Sequence, residues 1–355
     1  RAARRIWSRI MQAWAATPAK SAMKLHAVTS GRMLTKRDPW VNLLRNTAAC
    51  FAAGIGSVEA ISVLPFTDAM GHPNVLARRL ARNTQIMLQE ESLIGRVTDP
   101  AGGAWGVEKQ TEDFAKAGWA FLQEIEKQGG IVAALESGWL QDQIAKVRTA
   151  RGASIAKRKD ALIGVSEFPL LNETIPTLET PNLAAIAKSA SGFAERKVEA
   201  KFAPLPSWRL AEAFEALRDR ADAAMQGGKH PSVFIAALGP LAEHQARVGF
   251  SQNLLGAGGI AAVEAPLTES DLADGFKASG ANVACICGSD ATYADKAADA
   301  AKALKAAGAV WVLLAGKPGD SEAAWKEAGV DQFIFAGQDA VAALNTVHGA
   351  LGLGK

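Results

Sequence analysis

Hydrophobic and polar positions alternate regularly along the C-terminal third of the chain, where short apolar runs are separated by longer stretches of helical periodicity. Five apolar runs predict strands: Val233–Leu238, Ile260–Glu264, Val283–Cys287, Val310–Ala315 and Gln332–Ala336. An alanine-rich stretch after each run predicts a helix: Ala242–Leu255, Glu269–Ala278, Tyr293–Ala307, Ser321–Ala328 and Asp339–Leu351. Five such pairs predict a doubly wound, five-stranded parallel sheet with helices on both faces.

Ligands of such sheets bind at the carboxyl ends of the strands, so a site is expected in the loops after Leu238, Cys287, Ala315 and Ala336. Glycines lie in these loops, but their spacing matches neither a dinucleotide-binding fingerprint nor a phosphate-binding loop. Isolated glycines at strand ends are more typical of turns than of ligand cradles. The pattern therefore predicts the domain and not its ligand.

Residues 1–150 also mix strands and helices, but the predicted helices are longer. The predicted helices are Arg1–Ala16, Trp40–Ala53, Pro73–Glu91 and Thr111–Gln128, and the predicted strands are Met23–Val28 and Ala60–Leu64. Residues 151–206 contain five prolines and few periodic runs, a composition that predicts a long linker.

Composition narrows the class of protein. A chain of 355 residues predicts roughly two domains, and 49% hydrophobic with 21% charged residues is typical of soluble globular proteins rather than of membrane or nucleic-acid specialists. Cys50, Cys285 and Cys287 cannot form a disulfide framework, so we expect three core residues in a reducing cytoplasm. The longest apolar run, Ala306–Gly316, is far shorter than the ~20 residues of a membrane helix.

Basic residues are concentrated at one end of the chain. Residues 1–37 contain nine basic side chains and no acidic one, which leaves 30 basic and 36 acidic residues elsewhere. We call residues 1–37 the basic head. Such a segment can bind nucleic acid or phosphate, but this one lacks the interleaved aromatic residues of a stacking surface. We therefore favour a helix whose acidic partners lie elsewhere, and we expect no nucleic-acid or membrane partner.

Four segments have the order and spacing of motifs found together in one enzyme family: His26–Gly31, Asp38–Asn42, Ala81–Ser92 and Asp99–Gly103. On these segments the chain resembles the acyl-CoA mutases, chiefly the methylmalonyl-CoA mutase family. The Ala-Arg-Asn-Thr-Gln run that begins at Ala81 is the most specific of the motifs. The resemblance covers the whole chain.

The resemblance implies an α/β architecture in three parts. Residues 1–150 would form the C-terminal half of a (β/α)8 TIM barrel that binds the CoA ester, and residues 151–231 a linker or belt. Residues 232–355 would form a degenerate cobalamin-binding-like domain of flavodoxin-like fold. Because half a barrel exposes strand edges, we expect the complete polypeptide to carry a further N-terminal portion. The acidic partners of the basic head are then expected in that portion or on a partner subunit.

The motif that would bind cobalt departs from the family pattern. Active members carry Asp-x-His-x-x-Gly after the first strand of the cobalamin domain, where the imidazole binds cobalt and the Asp orients it. Aligned on Gly239 without a gap, these positions hold Leu241, Glu243 and Ala246. Ser289, in the loop after the third strand of the domain, is a further vestigial position.

His244 lies one residue late for the cobalt-ligand position. A gap that brings it into register places Ala242 at the Asp position and Arg247 at the Gly position. The orienting carboxylate and the small residue are then both lost. His244 is accordingly predicted to be an exposed or capping residue at the start of a helix.

The predicted barrel mouth has also lost polar groups. Along one strand the family's His becomes Ser62 and its Asn becomes Leu64, and the same stretch contains Glu59. Before the Thr-Ser-Gly motif the family's Arg becomes Lys24, whereas His26 is kept. These changes predict a filled, dry interior rather than a polar site, so these five positions are vestigial and not catalytic.

Because polar groups are lost at two separated sites, the chain resembles the small, non-catalytic subunit of heterodimeric methylmalonyl-CoA mutases. That resemblance implies no metal or cofactor in this chain, adenosylcobalamin in a homologous large catalytic subunit, and a complex that interconverts methylmalonyl-CoA and succinyl-CoA in the cytoplasm. Two alternatives stay open. One is an active cobalamin-dependent acyl-CoA mutase with His244 as cobalt ligand, and the other is a metabolite sensor of flavodoxin fold.

Overall fold

The computed structural model describes residues 1–190, 202–225, 228–264 and 272–353. The chain forms two compact units. The N-terminal unit comprises Arg1–Thr149 and Ile175–Arg209, and the C-terminal unit comprises Ala150–Thr174 and Leu210–Lys355. The stretch predicted to be a linker is therefore shared between the two units.

The N-terminal unit combines long helices with a short parallel sheet. Its elements within the described residues are α1 (Ala2–Ala13), α2 (Pro18–Ser21), β1 (His26–Val28), α3 (Val41–Ile55), β2 (Ala60–Ser62), α4 (Val75–Glu90), α5 (Trp105–Lys127), α6 (Ile131–Glu136), the first part of α7 (Trp139–Ala156), and α8 (Leu183–Ala190). The six predicted elements are confirmed with shifted ends, whereas the sequence pattern predicts none of α2, α6, α7 and α8.

Strands β1 and β2 pair in parallel, with His26 opposite Ala60 and Val28 opposite Ser62. Helix α3 connects them and packs on β2. This strand–helix–strand arrangement places the predicted mouth residues of both strands side by side.

The C-terminal unit alternates strands and helices as predicted. Its elements are α9 (Glu212–Ala223), β3 (Ser232–Ala237), α10 (Leu241–Ala257), β4 (Ala261–Glu264), α11 (Leu272–Ser279), β5 (Val283–Cys287), α12 (Asp290–Ala306), β6 (Trp311–Ala315), α13 (Glu322–Glu327), β7 (Gln332–Ile334) and α14 (Ala340–Ala350). All five strands and five helices are confirmed. The first residues of the predicted helix Glu269–Ala278, 269–271, lie outside the described residues.

The five strands form one parallel sheet in the order β4-β3-β5-β6-β7. The chain adds β4 on one side of β3 and then crosses to add β5 on the other side. The direction of winding therefore reverses between β3 and β5. In open sheets of this kind, the crevice at the carboxyl ends of the two strands that flank the reversal is where ligands bind.

Alternate residues of the strands face opposite sides of this sheet. On one side, buried residues such as Phe234 and Ile286 pack with residues of α11 and α12, including Phe276 and Leu304. On the other side, Cys285 and Cys287 lie within hydrogen-bond range of the Ser251 hydroxyl of α10. Both faces of the sheet are therefore covered by helices, which explains the uninterrupted apolar character of the central strands.

The structure can be compared with two expectations from composition, the state of the cysteines and the length of the apolar helices. Cys50, Cys285 and Cys287 are buried and free, as predicted for core residues. Among the helices of the described ranges, none has the length and hydropathy that crossing a membrane would require.

The basic head finds acidic partners inside its own unit. Three arginines of this head form ion pairs: Arg1 with Asp99 and Glu108, Arg4 with Glu59, and Arg5 with Glu112. The expectation that these partners lie in another segment or on a partner subunit is wrong for these three arginines. Packing of α1 against α5 brings Arg1 to Glu108 and Arg5 to Glu112. Asp99 and Glu59 lie outside α5.

Candidate functional site

The crevice at the winding reversal begins where β3 and β5 end. The backbone N–H of Leu238 donates to the carbonyl of Cys287 at 2.7 Å, so pairing continues one residue beyond β3. The chain then turns at Gly239 and, on the neighbouring strand, at Gly288. The helices that follow, α10 and α12, begin on either side of the crevice.

Two features favour glycine at position 239. Its φ of +79° lies in the left-handed region that favours glycine. A Cβ at this position would lie 3.0 Å from Oε2 of Glu243 and 3.3 Å from Oγ1 of Thr292. The turn therefore brings backbone close to a polar cluster that spans the crevice.

Glu243 forms a bridge across this crevice. Its carboxylate, in the first turn of α10, accepts hydrogen bonds from the Thr292 hydroxyl and from Oγ of Ser289 at 3.1 Å. Ser289 is the N-cap of α12, and its Oγ also accepts from the backbone N–H of Thr292. The bonds from Thr292 and then Ser289 lower the pKa of Glu243 below its usual value. We call this set, Glu243 with Ser289 and Thr292, the carboxylate bridge.

Arg247 and Tyr293 fill the space beside the carboxylate bridge. The Arg247 guanidinium carbon lies 4.7 Å from the centroid of the Tyr293 ring, and the guanidinium donates to the Gly288 carbonyl and the Asp290 carboxylate. The Tyr293 hydroxyl accepts from the Gly288 N–H at 3.0 Å and donates to the Ala315 carbonyl at 2.8 Å. Burial raises the pKa of Tyr293 above its usual range. The chain's own side chains therefore occupy this end of the sheet.

Leu241 and His244 lie at the start of α10. Leu241 is exposed, whereas His244 is half-buried and its Nδ1 lies 3.0 Å from the Gly239 carbonyl oxygen. Because a carbonyl only accepts, Nδ1 carries the proton, and Nε2 has no hydrogen-bond partner in the part of the chain that the structure describes. Metal-binding histidines are oriented by such a bond, commonly to a carboxylate or a carbonyl. Within the described residues, no three His, Cys, Asp or Glu side chains are grouped to hold a metal ion.

Two of the predicted mouth residues in the N-terminal unit contact each other. Nε2 of His26 lies 2.8 Å from Oγ of Ser62, a contact that follows from the parallel pairing of β1 and β2. The carboxylate of Glu59 accepts from the Leu25 N–H at 2.6 Å and lies 3.0 Å from Nη2 of Arg4. The Leu25 bond, and then the Arg4 bond, lower the pKa of Glu59.

Three of the predicted mouth residues, Lys24, His26 and Glu59, are exposed in this chain. The filled, dry interior expected at the mouth stays a prediction. Leu64 is half-buried just beyond the end of β2, where its backbone N–H donates to Oγ1 of Thr29 at 2.9 Å. Its aliphatic side chain supplies no polar group.

Sequence patterns identified Glu243 and Ser289 but not Thr292 and Tyr293 as residues of the crevice. Serine is among the preferred N-cap residues, and Ser289 is indeed the N-cap of α12. Tyr293 is the single tyrosine of the chain. Its role depends on contacts with strand ends, which no local pattern reveals.

Comparisons with known proteins agree with these motifs. Residues 1–228 match the family model described as methylmalonyl-CoA mutase. The chain is 46% identical over 356 residues to the methylmalonyl-CoA mutase small subunit of Streptomyces virginiae, covering 99% of this chain and 54% of that relative. It is 40% identical to the probable small subunit of Mycobacterium tuberculosis H37Rv, covering 99% of this chain and 54% of the relative. It is 37% identical to the small subunit of Propionibacterium freudenreichii subsp. shermanii, covering 100% and 53%. The chain spans about half the length of these curated relatives.

Proposed function

The chain belongs to the methylmalonyl-CoA mutase family, and on that basis we propose that it acts as part of the small, non-catalytic subunit of an adenosylcobalamin-dependent mutase. In this proposal it stabilises a homologous large subunit that interconverts methylmalonyl-CoA and succinyl-CoA. The complex would act in the cytoplasm. The relatives named above are each a methylmalonyl-CoA mutase small subunit, which supports the partner and the reaction proposed here.

The proposal includes a finer architecture. The N-terminal unit would be the C-terminal half of a (β/α)8 barrel, and the parallel pairing of β1 with β2 across α3 supports this. The C-terminal unit would be a flavodoxin-like domain. Its strand order, with the second strand at one edge and the first beside the third, supports that assignment.

One observation carries the non-catalytic part of the proposal: the carboxylate bridge joins the starts of α10 and α12 across the crevice. Arg247, stacked on Tyr293, fills the space beside it. A cobalamin bound at these strand ends would have to displace both sets of contacts. Leu241 and Ala246 offer neither the carboxylate nor the glycine that the cobalt-ligand motif uses, so the residues present do not fit that group.

The mouth residues of the N-terminal unit support the same conclusion. His26 is hydrogen-bonded to Ser62, and Glu59 is held by Leu25 and Arg4. These polar side chains pair with one another and with backbone. In this proposal they form a scaffold, and the catalytic residues and the cofactor belong to the large subunit.

A second candidate, an active cobalamin-dependent mutase, is favoured by one contact. The bond from Nδ1 of His244 to the Gly239 carbonyl leaves Nε2 of His244 available to a metal. The carboxylate bridge beside it and the absence of an orienting carboxylate at Ala242 weigh against this candidate. Among the residues described, no contact specifically favours the third possibility, a metabolite sensor.

Co-expression tests the proposed partnership. The full chain, carrying an affinity tag, is produced together with a large mutase chain that contains the Asp-x-His-x-x-Gly motif. We expect the two chains to purify together in equal amounts and the complex to isomerise methylmalonyl-CoA. The chain alone is expected to be inactive with added adenosylcobalamin.

The control is a large chain alone under the same conditions. Purification of the tagged chain as a stable species without its partner would contradict the subunit proposal and favour the sensor. Mutase activity of the tagged chain alone would contradict the non-catalytic role and favour the second candidate.

A further inference from the structure

His348 lies on the buried side of α14. Leu344, Val347 and His348 are all buried, and their spacing of three and four residues places them along one side of the helix. Helix α14 packs against α9 and α10, so these side chains belong to the core of the C-terminal unit. A titratable ring therefore occupies a position where apolar side chains are usual, and it takes no part in the carboxylate bridge.

The end of α10 contacts this ring. Nε2 of His348 lies 2.8 Å from the carbonyl oxygen of Gly258, the C-cap of α10. A Cβ at Gly258 would lie 2.9 Å from Cδ2 of Leu344, so glycine allows the end of α10 to approach α14 this closely. Because a carbonyl only accepts, Nε2 of His348 carries the proton.

The other nitrogen of the ring, Nδ1, is buried and has no hydrogen-bond partner among the residues described. In the neutral ring Nδ1 is an acceptor, and only a lone pair is left unused. A protonated ring would place a second N–H at Nδ1, where it would be buried without an acceptor and would carry charge. The surroundings of His348 therefore fit the neutral ring and not the protonated one.

The charged groups on the neighbouring helices do not favour protonation either. On α9, the positive charge of Arg220 acts on the ring. Arg218 of the same helix lies against Gly259 and is paired with Glu173. No carboxylate of α9, a helix that the structure describes throughout, shifts the pKa of His348, and the last turn of α10, residues 254–257, contains no titratable side chain. A protonated ring would meet a like charge with no carboxylate of these helices to compensate it.

From this geometry we propose that His348 is a pH-sensitive latch, whose neutral ring holds α14 against the end of α10 and whose protonated ring releases α14. Helix α14 follows β7, an edge strand, so its release breaks no pairing in the interior of the sheet. The latch stands independently of the proposed function, because its residues belong neither to the carboxylate bridge nor to the mouth contacts.

The direction of the response follows from proton binding. Burial lowers the pKa of His348, and Arg220 lowers it further. The closed latch therefore binds fewer protons than the open helix. Its stability is complete above the ordinary histidine pKa of about 6.5 and decreases as the pH falls through that value. A ring that is neutral when closed and has this ordinary pKa when open shifts the opening equilibrium about tenfold between about pH 7.5 and about pH 5.5.

Hydrogen–deuterium exchange of the full chain, read by mass spectrometry at these two pH values and corrected for the intrinsic pH dependence of exchange, tests the latch. Helix α12, which contains no histidine, is the internal reference. We expect the protection of α14 to fall about tenfold relative to that of α12 at the lower pH. An equal change in both helices, or no change in α14, would overturn the proposal.

A matched pair of variants assigns the response to His348. His348→Gln keeps an N–H donor for the Gly258 carbonyl but cannot titrate, so we expect wild-type protection of α14 at the higher pH and no loss at the lower pH. His72→Gln makes the same substitution at an exposed histidine and should respond as the wild type does. Loss of protection at the lower pH in a folded His348→Gln variant would overturn the latch. The comparison of α14 with α12 in the wild type decides the question where His348→Gln does not fold.

Discussion

The carboxylate of Glu243 accepts a hydrogen bond from the hydroxyl of Thr292, a residue 49 positions later in the chain. This bond and the one from Ser289 join the first turns of two helices at the edge of the sheet where a ligand of this fold would bind. An exposed carboxylate is held in a defined place by two hydroxyl groups. The crevice is therefore bridged by the protein itself.

Acid sensitivity should reveal the carboxylate bridge. Because Thr292 and Ser289 lower the pKa of Glu243 in the folded state, the bridge contributes stability above the ordinary glutamate range. That contribution is lost as the pH falls through the lowered pKa. We expect Glu243→Gln to reduce the loss of stability on acidification, measured by urea unfolding at a series of pH values. Glu327→Gln, which alters another exposed carboxylate, is the control and should follow the wild type.

Tyr293 should resist ionisation in the folded protein. It is the single tyrosine, so the ultraviolet absorbance of tyrosinate reports this residue alone. Burial raises the pKa of Tyr293, so the unfolded chain releases its proton first and stability falls as the pH rises through the ordinary tyrosine range. Tyrosinate formation in the native protein at the pH of free tyrosine would show that the ring is not packed beneath Arg247.

Removal of the Tyr293 hydroxyl should destabilise the fold. Tyr293→Phe leaves the Gly288 N–H and the Ala315 carbonyl without their partner, and we expect a loss of about 1–3 kcal/mol in the free energy of unfolding. Urea unfolding measures it. A variant as stable as the wild type would mean that these two backbone groups do not depend on the hydroxyl.

The contact between His26 and Ser62 should contribute little stability because His26 is exposed and Ser62 is half-buried. We expect Ser62→Ala to lower the free energy of unfolding by at most about 1 kcal/mol. Ser30→Ala, which alters an exposed serine on the neighbouring loop, should have almost no effect. A loss well above that bound in Ser62→Ala would indicate that the mouth residues form a buried network.

Restoring the cobalt-ligand motif should not be sufficient for the chain to bind cobalamin. The triple variant Leu241→Asp, Glu243→His, Ala246→Gly recreates the family pattern at α10, but Arg247 still lies over Tyr293 and bonds the Gly288 carbonyl. We expect no retention of cobalamin during gel filtration. Retention by the triple variant would show that the ligand motif alone had been missing.

The buried parts of the fold could be predicted from the sequence. The strand Val283–Cys287 is buried along its whole length, and its apolar run gives both ends correctly. At the edge of the sheet the signal is weaker, and β7 ends at Ile334 instead of Ala336. Helix α7 was not predictable in the same way because its apolar residues do not form one stripe, and Ile144 and Val147 are exposed.

The hydrogen bonds of the crevice could not be predicted from the sequence. Departures from a motif identified Glu243 as a changed position, but its hydrogen-bond partners come from another helix and its lowered pKa follows from them. The ion pair of Arg4 with Glu59 likewise joins residues 55 positions apart. Local patterns predict elements, whereas the pairing of polar side chains depends on how those elements pack.

Retention of adenosylcobalamin is the most direct test of the non-catalytic role. The full chain is mixed with the cofactor, separated by gel filtration, and examined by visible absorbance, with a mutase chain that carries the complete ligand motif as the positive control. The carboxylate bridge and the stacked Arg247 predict that the chain emerges without cofactor absorbance. Retention of one cobalamin per chain, abolished in His244→Ala, would contradict the proposal and identify His244 as the cobalt ligand.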